Sequence, residues 1–268
     1  MPIYIDQMGR SVRIAERPQR IISLVPSQTE WLADLGLEQE VIALTKFCIH
    51  PHSWWREKER IGGTKSLDLD KIRSLQPDLI IANKEENTKA EIELLAQEFP
   101  VWISDIANLP QALEMMRALG QITGQAQRAE SLLAPFEEAL AAYQAPAANL
   151  SVAYFIWRQP WMLAAGQTFI DEMLNWAGFK NVLGHLARYP SLSLKELEQE
   201  KIDLIFLSSE PYPFKEKHIA ELKEIWPNSQ ILLVDGEIFS WYGSRLFKAP
   251  DYCRALWKRI VAAGKLGG

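Results

Sequence analysis

Thr45-Lys46-Phe47-Cys48-Ile49-His50-Pro51-His52 places a thiol and two imidazoles within a short stretch of chain. Cys and His are good ligands for zinc, cobalt or iron. A four-ligand structural site needs a second cluster, and elsewhere only His185, His218 and Cys253 remain. The stretch is therefore read as a loop without a permanent metal, one that leaves open a contact between a histidine, His50 first, and a metal that arrives inside its own chelate. Trp54, Trp55, Trp157, Trp161, Trp241 and Tyr242 fall outside the periodic apolar stretches. Aromatic faces on loops grip flat ligands with few polar contacts, although loop aromatics also plug gaps over sheet ends. Trp31, Trp102, Trp176 and Trp257 lie inside predicted elements and are read as core.

Charged candidates come next. Asn83-Lys84-Glu85-Glu86-Asn87 starts just past a buried apolar run, and Leu207-Ser208-Ser209-Glu210-Pro211-Tyr212 occupies the matching place later in the chain. Glu85, Glu86 and Glu210 are expected to face one another across a cleft and to bind a cation or an amide-bearing periphery; a solvated helix start is the competing reading. Arg158 and Arg245 are candidate anchors for a propionate, phosphate or carboxylate, which guanidinium meets with two parallel hydrogen bonds, and surface ion pairing is the alternative. Ser27, Lys46, Lys65, Asn83, Asn87 and Tyr212 complete the candidate binding set. None of these is expected to be catalytic.

The elements that must position these residues are announced by a duplication. Ser66-Leu67-Asp68-Leu69-Asp70-Lys71-Ile72 followed by Pro77-Asp78-Leu79-Ile80-Ile81 returns as Ser191-Leu192-Ser193-Leu194-Lys195-Glu196-Leu197 followed by Ile202-Asp203-Leu204-Ile205-Phe206. Each copy reads as a capped helix of about two to three turns running into a buried strand. A solenoid repeats every ~20 to 50 residues. This far longer period instead predicts two similar α/β lobes with parallel sheets and a ligand cleft between them. Strands are expected at 21–25, 41–44, 78–82, 101–104, 151–156, 204–207 and 231–234, with residues 1–19 as an extended lead-in. Ser27 or Thr29 is the predicted cap of a helix stopping at Gly36, and Gln167-Thr168 opens its counterpart ending near Gly178. Between 109 and 143 no strand is convincing, and the apolar spacing predicts one long bridging helix, with Gly120, Gly124 and Pro135 as points of interruption or kinking. The expected division is 1–106 for the first lobe, 107–147 for the bridge and 148–268 for the second lobe.

Composition narrows the function. The chain has 268 residues, 48% hydrophobic, 24% charged, with net charge −5, which is ordinary for a globular protein and carries no basic footprint for nucleic acid. Two cysteines in so long a chain make no disulfide framework, so reduced thiols are expected. No apolar run is long enough to span a membrane, and the opening Met1-Pro2-Ile3-Tyr4-Ile5-Asp6 lacks the basic and apolar regions of a secretory signal. The expectation is a cytoplasmic monomer, or a periplasmic or cell-surface one if a leader has been removed. Gly-x-Gly-x-x-Gly, Walker, Gly-x-Ser-x-Gly and His-Glu-x-x-His signatures are all missing.

Arg20-Ile21-Ile22-Ser23-Leu24-Val25-Pro26-Ser27-Gln28-Thr29-Glu30, the Ile61-Gly62-Gly63-Thr64 before the first repeat and the Pro77-Asp78-Leu79 strand entry together resemble a known group. It is the cobalamin, haem and ferric-siderophore binding proteins of ABC importers, and the similarity runs from about Arg20 to the C-terminal helix. Ala82 to Asn87 and Ser240 to Arg245 are similar to a cobalamin-binding-like or metal-receptor branch. The resemblance implies two α/β lobes joined by a long helix and non-catalytic binding of a corrinoid, haem or ferric siderophore as cargo. It implies no covalently held cofactor and an ABC permease as partner. It also places a docking carboxylate on each lobe. Asp70 stands there in the first, whereas the second has Lys195, with Glu196 one place on. The alternative from another class is a chelatase-like enzyme handling metal and tetrapyrrole, with His50 or His52 and Glu85 or Glu86 on the metal path.

Overall fold

The Asp of each repeat fixes how a sheet begins. In the first copy Asp78 accepts hydrogen bonds from the backbone N–H groups of Gln19 (2.7 Å) and Arg20 (2.8 Å), and its own N–H donates to the Arg20 carbonyl at 3.0 Å. In the second, Asp203 accepts from the Ser151 N–H (3.0 Å) and hydroxyl (2.7 Å), and its N–H donates to the Ser151 carbonyl at 3.1 Å. Each carboxylate thus pins the start of the neighbouring strand and helps fix its register.

These contacts belong to a computed structural model that describes residues 1–264. Its strands are β1 (Ile3–Ile5), β2 (Ser11–Arg13), β3 (Ile21–Ser23), β4 (Val41–Leu44), β5 (Glu59–Arg60), β6 (Gly62–Gly63), β7 (Ser66–Leu67), β8 (Leu79–Asn83), β9 (Val101–Ser104), β10 (Ser151–Trp157), β11 (Met162–Leu163), β12 (Lys180–Asn181), β13 (Leu204–Ser208) and β14 (Gln230–Val234). The helices are α1 (Pro26–Asp34), α2 (His52–Glu57), α3 (Leu69–Leu75), α4 (Lys89–Glu98), α5 (Leu109–Ile122), α6 (Ala126–Ala142), α7 (Phe169–Trp176), α8 (Leu194–Leu197), α9 (Glu216–Ile225), α10 (Gly236–Ser240) and α11 (Ala249–Ala262), with a 3-10 turn over Ser244–Lys248.

Two α/β units result. The first comprises Met1–Ile106, Pro110–Glu138 and Tyr242–Arg245, and its parallel sheet runs β5-β4-β3-β8-β9. The second comprises Ala107–Leu109, Ala139–Trp241 and the chain from Leu246 onward; its sheet runs β11-β10-β13-β14, with β12 beside β10 and only β11 antiparallel. All five residues of β8 and all five of β13 are buried, as expected of central strands covered on both faces. In each sheet the first strand is flanked by strands reached in opposite directions. The carboxyl ends of β3 and β8, and of β10 and β13, are therefore switch points where open α/β sheets take ligands.

Local departures from expectation have local causes. The bridge is helical but breaks into α5 and α6 at Gly124, whose φ of +73° suits glycine and lets Gln125 N–H return to the Gly120 carbonyl at 2.7 Å. The lead-in is a hairpin, because the Asp6 carboxylate accepts from the N–H groups of Met8 (3.0 Å) and Arg10 (2.9 Å) and so folds β1 onto β2. The cap of helix α1 is Val25, ahead of both predicted caps, and the helix starts at Pro26, which suits a first helical position; the Thr29 hydroxyl instead donates to the Val25 carbonyl at 2.8 Å. Only α8 falls short of the repeat. The first copy packs Leu75 on its second turn, but Glu200 stands at the matching place, so nothing apolar holds a second turn down.

Candidate functional site

In the first unit the connections leaving β3, β8 and β9 are tied together by buried amides. Asn83 Nδ2 donates to the hydroxyl (2.9 Å) and carbonyl (3.2 Å) of Ser104, while its Oδ1 accepts from the N–H groups of Glu85 (2.8 Å) and Glu86 (3.0 Å). Asn87 Oδ1 accepts from Asn83 N–H at 2.8 Å, and its Nδ2 donates to the Thr64 carbonyl at 3.1 Å. Gln28 Nε2 adds a further bond to the Ser104 hydroxyl. Asn83 and Asn87 thus shape the loop, and their amides are engaged inside the protein. What the loop offers outward is Glu85 and Glu86, both half-buried. Desolvation pushes the Glu86 carboxyl above the ordinary carboxylate range, opposed by the nearby Lys65 ammonium. Lys65 Nζ donates to the Glu85 carbonyl, and Lys84 pairs with Asp105 at 2.6 Å.

The loop after β4 turns on Cys48. Its thiol is fully buried against Thr45 (3.1 Å), and burial pushes it up. With Cys48 inward, Phe47 and Ile49 point outward and are 52% and 42% exposed; this pair was not among the predicted site residues, although alternation about a buried Cys is the signal for it. Lys46 Nζ lies 5.1 Å from the Phe47 ring centroid. Trp54 and Trp55 belong to α2 rather than to a loop. Trp54 is buried, whereas Trp55 is half-buried, donates from Nε1 to the Lys46 carbonyl (3.0 Å) and stacks on the exposed His52 at 5.8 Å. His50 is half-buried. Among the described residues no group of three or more His, Cys, Asp and Glu is placed to hold a metal, and both cysteines are free and buried.

The second unit answers with rings. Trp157 ends β10, is 38% exposed and meets Tyr212 edge-on at 5.7 Å. Tyr212 packs on Phe214 (4.8 Å), and Phe214 stacks on Trp161 at 6.3 Å, so Trp161 joins the core of this unit. Buried His218 locks the cluster. Its Nδ1 accepts from Lys215 N–H at 2.9 Å, which leaves Nε2 to donate to the Tyr212 hydroxyl at 3.3 Å. Desolvation, reinforced by Lys217 and Arg158, lowers the affinity of His218 for a proton. Glu210 is held too: one of its oxygens accepts from Trp241 Nε1 (2.8 Å) and Ser240 (2.6 Å), and Trp241 is buried.

Both candidate arginines carry bidentate partners. Arg158 pairs with Glu221 (Nε to Oε2 3.2 Å, Nη2 to Oε1 2.8 Å) with its guanidinium 5.4 Å from Trp161. Arg245 pairs with Glu30 of α1 (Nε to Oε2 3.1 Å, Nη2 to Oε1 2.9 Å). The Tyr242–Arg245 segment lies directly on α1: a Cβ added to Gly243 would meet the Ser27 carbonyl at 2.5 Å, so only glycine permits the approach. Ser27 and Tyr242 are both buried. Asp70 is exposed and pairs with Arg73 at 3.1 Å. The Glu196 carboxylate folds back on its own helix start, accepting from the Ser193 N–H and hydroxyl (both 2.7 Å), and these bonds lower its proton affinity.

Two α/β units with tied strand-end loops match a known pattern. Residues 21–225 fit the family model described as periplasmic binding protein. The chain belongs to this family. A relative, the vitamin B12-binding protein of Vibrio parahaemolyticus, is 28% identical over 212 residues, 77% of each chain. Two solved structures share the fold. The periplasmic vitamin B12 binding protein BtuF of Vibrio cholerae superposes with TM-score 0.73 at 23% identity, covering 92% of this chain and 99% of that one. The periplasmic heme binding protein HutB of the same organism gives TM-score 0.76 at 18% identity, covering 89% of this chain and 98% of that one.

Proposed function

We propose that this periplasmic binding protein holds a metal-chelate cargo, a cobalamin-like corrinoid first and haem or a ferric siderophore next, without converting it. The observation that carries the reading is the exposed Trp157 set edge-on to Tyr212 at the switch point of β10 and β13. A flat macrocycle gains most from rigid rings already held in place, and here His218 and Phe214 hold them. Relatives named for vitamin B12 support the corrinoid as first choice. In the first unit Lys46, Phe47, Glu85, Glu86 and the half-buried His50 are the proposed polar and apolar contacts. Titration with cobinamide, cobalamin, haem and ferric siderophores, followed by tryptophan fluorescence, tests this. Saturable quenching by one of them is expected, and no quenching at tens of micromolar removes the reading.

An ABC permease is the proposed partner, with the exposed Asp70 as its contact on the first unit. Lys195 is exposed at the matching place of the second, and Glu196 is occupied with its own helix cap. Docking is therefore proposed to be weak on that side, and Lys195→Glu is expected to strengthen it. A cytoplasmic location is supported by this missing second carboxylate and opposed by the periplasmic naming of the solved relatives. Among the described residues no helix is long and apolar enough to cross a membrane. Cell fractionation decides, since recovery in the periplasm would exclude the cytoplasmic reading.

A further inference from the structure

Residues 212–215 carry rings of the second unit, yet their backbone is tied loosely to the sheet beneath. The Tyr212 N–H reaches the Ile156 carbonyl, and the Phe214 N–H the Ser208 carbonyl, only at 3.4 Å each, longer than the about 2.7–3.2 Å of a good bond. The short tie comes from α9. His218, at the third position of that helix, accepts the Lys215 N–H at Nδ1 (2.9 Å) and meets the Tyr212 hydroxyl at Nε2 (3.3 Å). A backbone N–H only donates, so the 2.9 Å bond exists only while Nδ1 carries no proton. The doubly protonated ring has an N–H on both nitrogens and must give that bond up.

Resting on the metal-chelate reading above, we propose that His218 is a positioning residue for the cargo, an acid-sensitive latch whose protonation releases residues 212–215 and the Tyr212 face that Trp157 leans on. The groups around the imidazole set the direction. Burial disfavours the charged ring most, followed by Lys217 on α9 and Arg158 just past β10. Glu221, also on α9, and the Lys215 backbone favour the proton. Both are already engaged: Glu221 accepts two bonds from Arg158 (3.2 and 2.8 Å), and the Lys215 carbonyl accepts the His218 N–H at 2.9 Å. A cation this close to a helix start also opposes the helix dipole, and exposed Lys215 and Lys217 sit at that start with only Glu216 between them. The latch is therefore closed at neutral pH and opens as pH falls below the ordinary histidine value.

The test uses the full chain between about pH 8 and 4.5, with cyanocobalamin as probe because it has no group that titrates in that range. Nitrogen-15 NMR of the histidines is expected to show His218 protonated only on Nε2 at neutral pH and titrating below the ordinary value. As it titrates, hydrogen-exchange protection of the Lys215 amide, referred to its intrinsic rate, is expected to fall at least tenfold. Cyanocobalamin binding, measured by equilibrium dialysis, is expected to weaken at least fivefold over the same interval. A glutamine at the third helical position accepts the same N–H without titrating, so His218→Gln is expected to hold both protection and affinity level across the range. Protection that persists while His218 titrates, or the same acid loss of affinity in His218→Gln as in the wild type, overturns this inference and leaves the metal-chelate reading standing. No binding at pH 8 overturns the corrinoid reading and, with it, the cargo role of His218.

Discussion

At the carboxyl ends of β3 and β8 the chain is held by amides and hydroxyls: Asn83, Asn87, Gln28 and Ser104 form a buried hydrogen-bonded knot. At the carboxyl ends of β10 and β13 it is held by rings, with Trp157, Phe214 and His218 each packed on Tyr212. Both follow the same repeated Asp-Leu-Ile strand, so the sheet does not dictate the chemistry at its end. The knot is directional and intolerant, because each lost partner strands a buried polar group. The ring cluster is adaptable, since its attraction comes from area and edge contacts that a substituted ring can partly restore. Rigid loop shape therefore belongs to the first unit, and contact area to the second.

This difference breaks most sharply at Asn83. Asn83→Ala removes bonds to Ser104, Glu85 and Glu86 at once, and should cost about 3 kcal/mol of stability in urea titrations, from about 1–3 kcal/mol per stranded buried group. If the loss is under 1 kcal/mol, the knot does not hold the loops. In the second unit Tyr212→Phe keeps the ring and loses the hydroxyl that meets His218 at 3.3 Å. It should cost about 1 kcal/mol, the usual net worth of one hydrogen bond, with a tenfold or smaller change in cargo affinity.

The two faces are also expected to respond to pH in opposite directions. Glu86 has its proton affinity raised by burial, so its contribution to stability is full below its unfolded value and is lost as pH rises through the folded one. His218 has its proton affinity lowered. Its contribution is full above an ordinary histidine value and is lost as pH falls below it, because the unfolded chain takes up the proton first. Stability measured across pH 4–8 should flatten on the alkaline side in Glu86→Gln and on the acid side in His218→Gln. The same flattening in both variants would mean that the two sites do not titrate independently.

How much of this was legible beforehand follows from the kind of signal involved. The duplication exposed both sheets, because Asp78 and Asp203 perform the same local task and strands buried on both faces read as plain apolar runs. The bridge is visible as helix, with Gly120, Gly124 and Pro135 as three candidate weak points, and which of them breaks it is settled only by a φ value, that of Gly124. Site residues were harder. Trp54 and Trp55 are adjacent, yet helix α2 buries one and half-exposes the other, a distinction of helical phase in an element too short to show a period. Arg158 and Arg245 read as free anchors because their partners Glu221 and Glu30 lie 63 and 215 residues away. Composition cannot reveal a pairing made by the fold. Asn83 and Asn87 read as ligand contacts for the same reason.

The central claim is that the ring pair at the ends of β10 and β13 grips the cargo. Equilibrium dialysis of dicyanocobinamide against wild-type protein and Trp157→Ala tests it most directly, since the exposed Trp157 side chain can be removed with little loss of core. Saturable one-to-one binding by the wild type that weakens about tenfold in the variant, the equivalent of ~1.4 kcal/mol, is the predicted result. Binding of equal strength in both proteins would contradict the account.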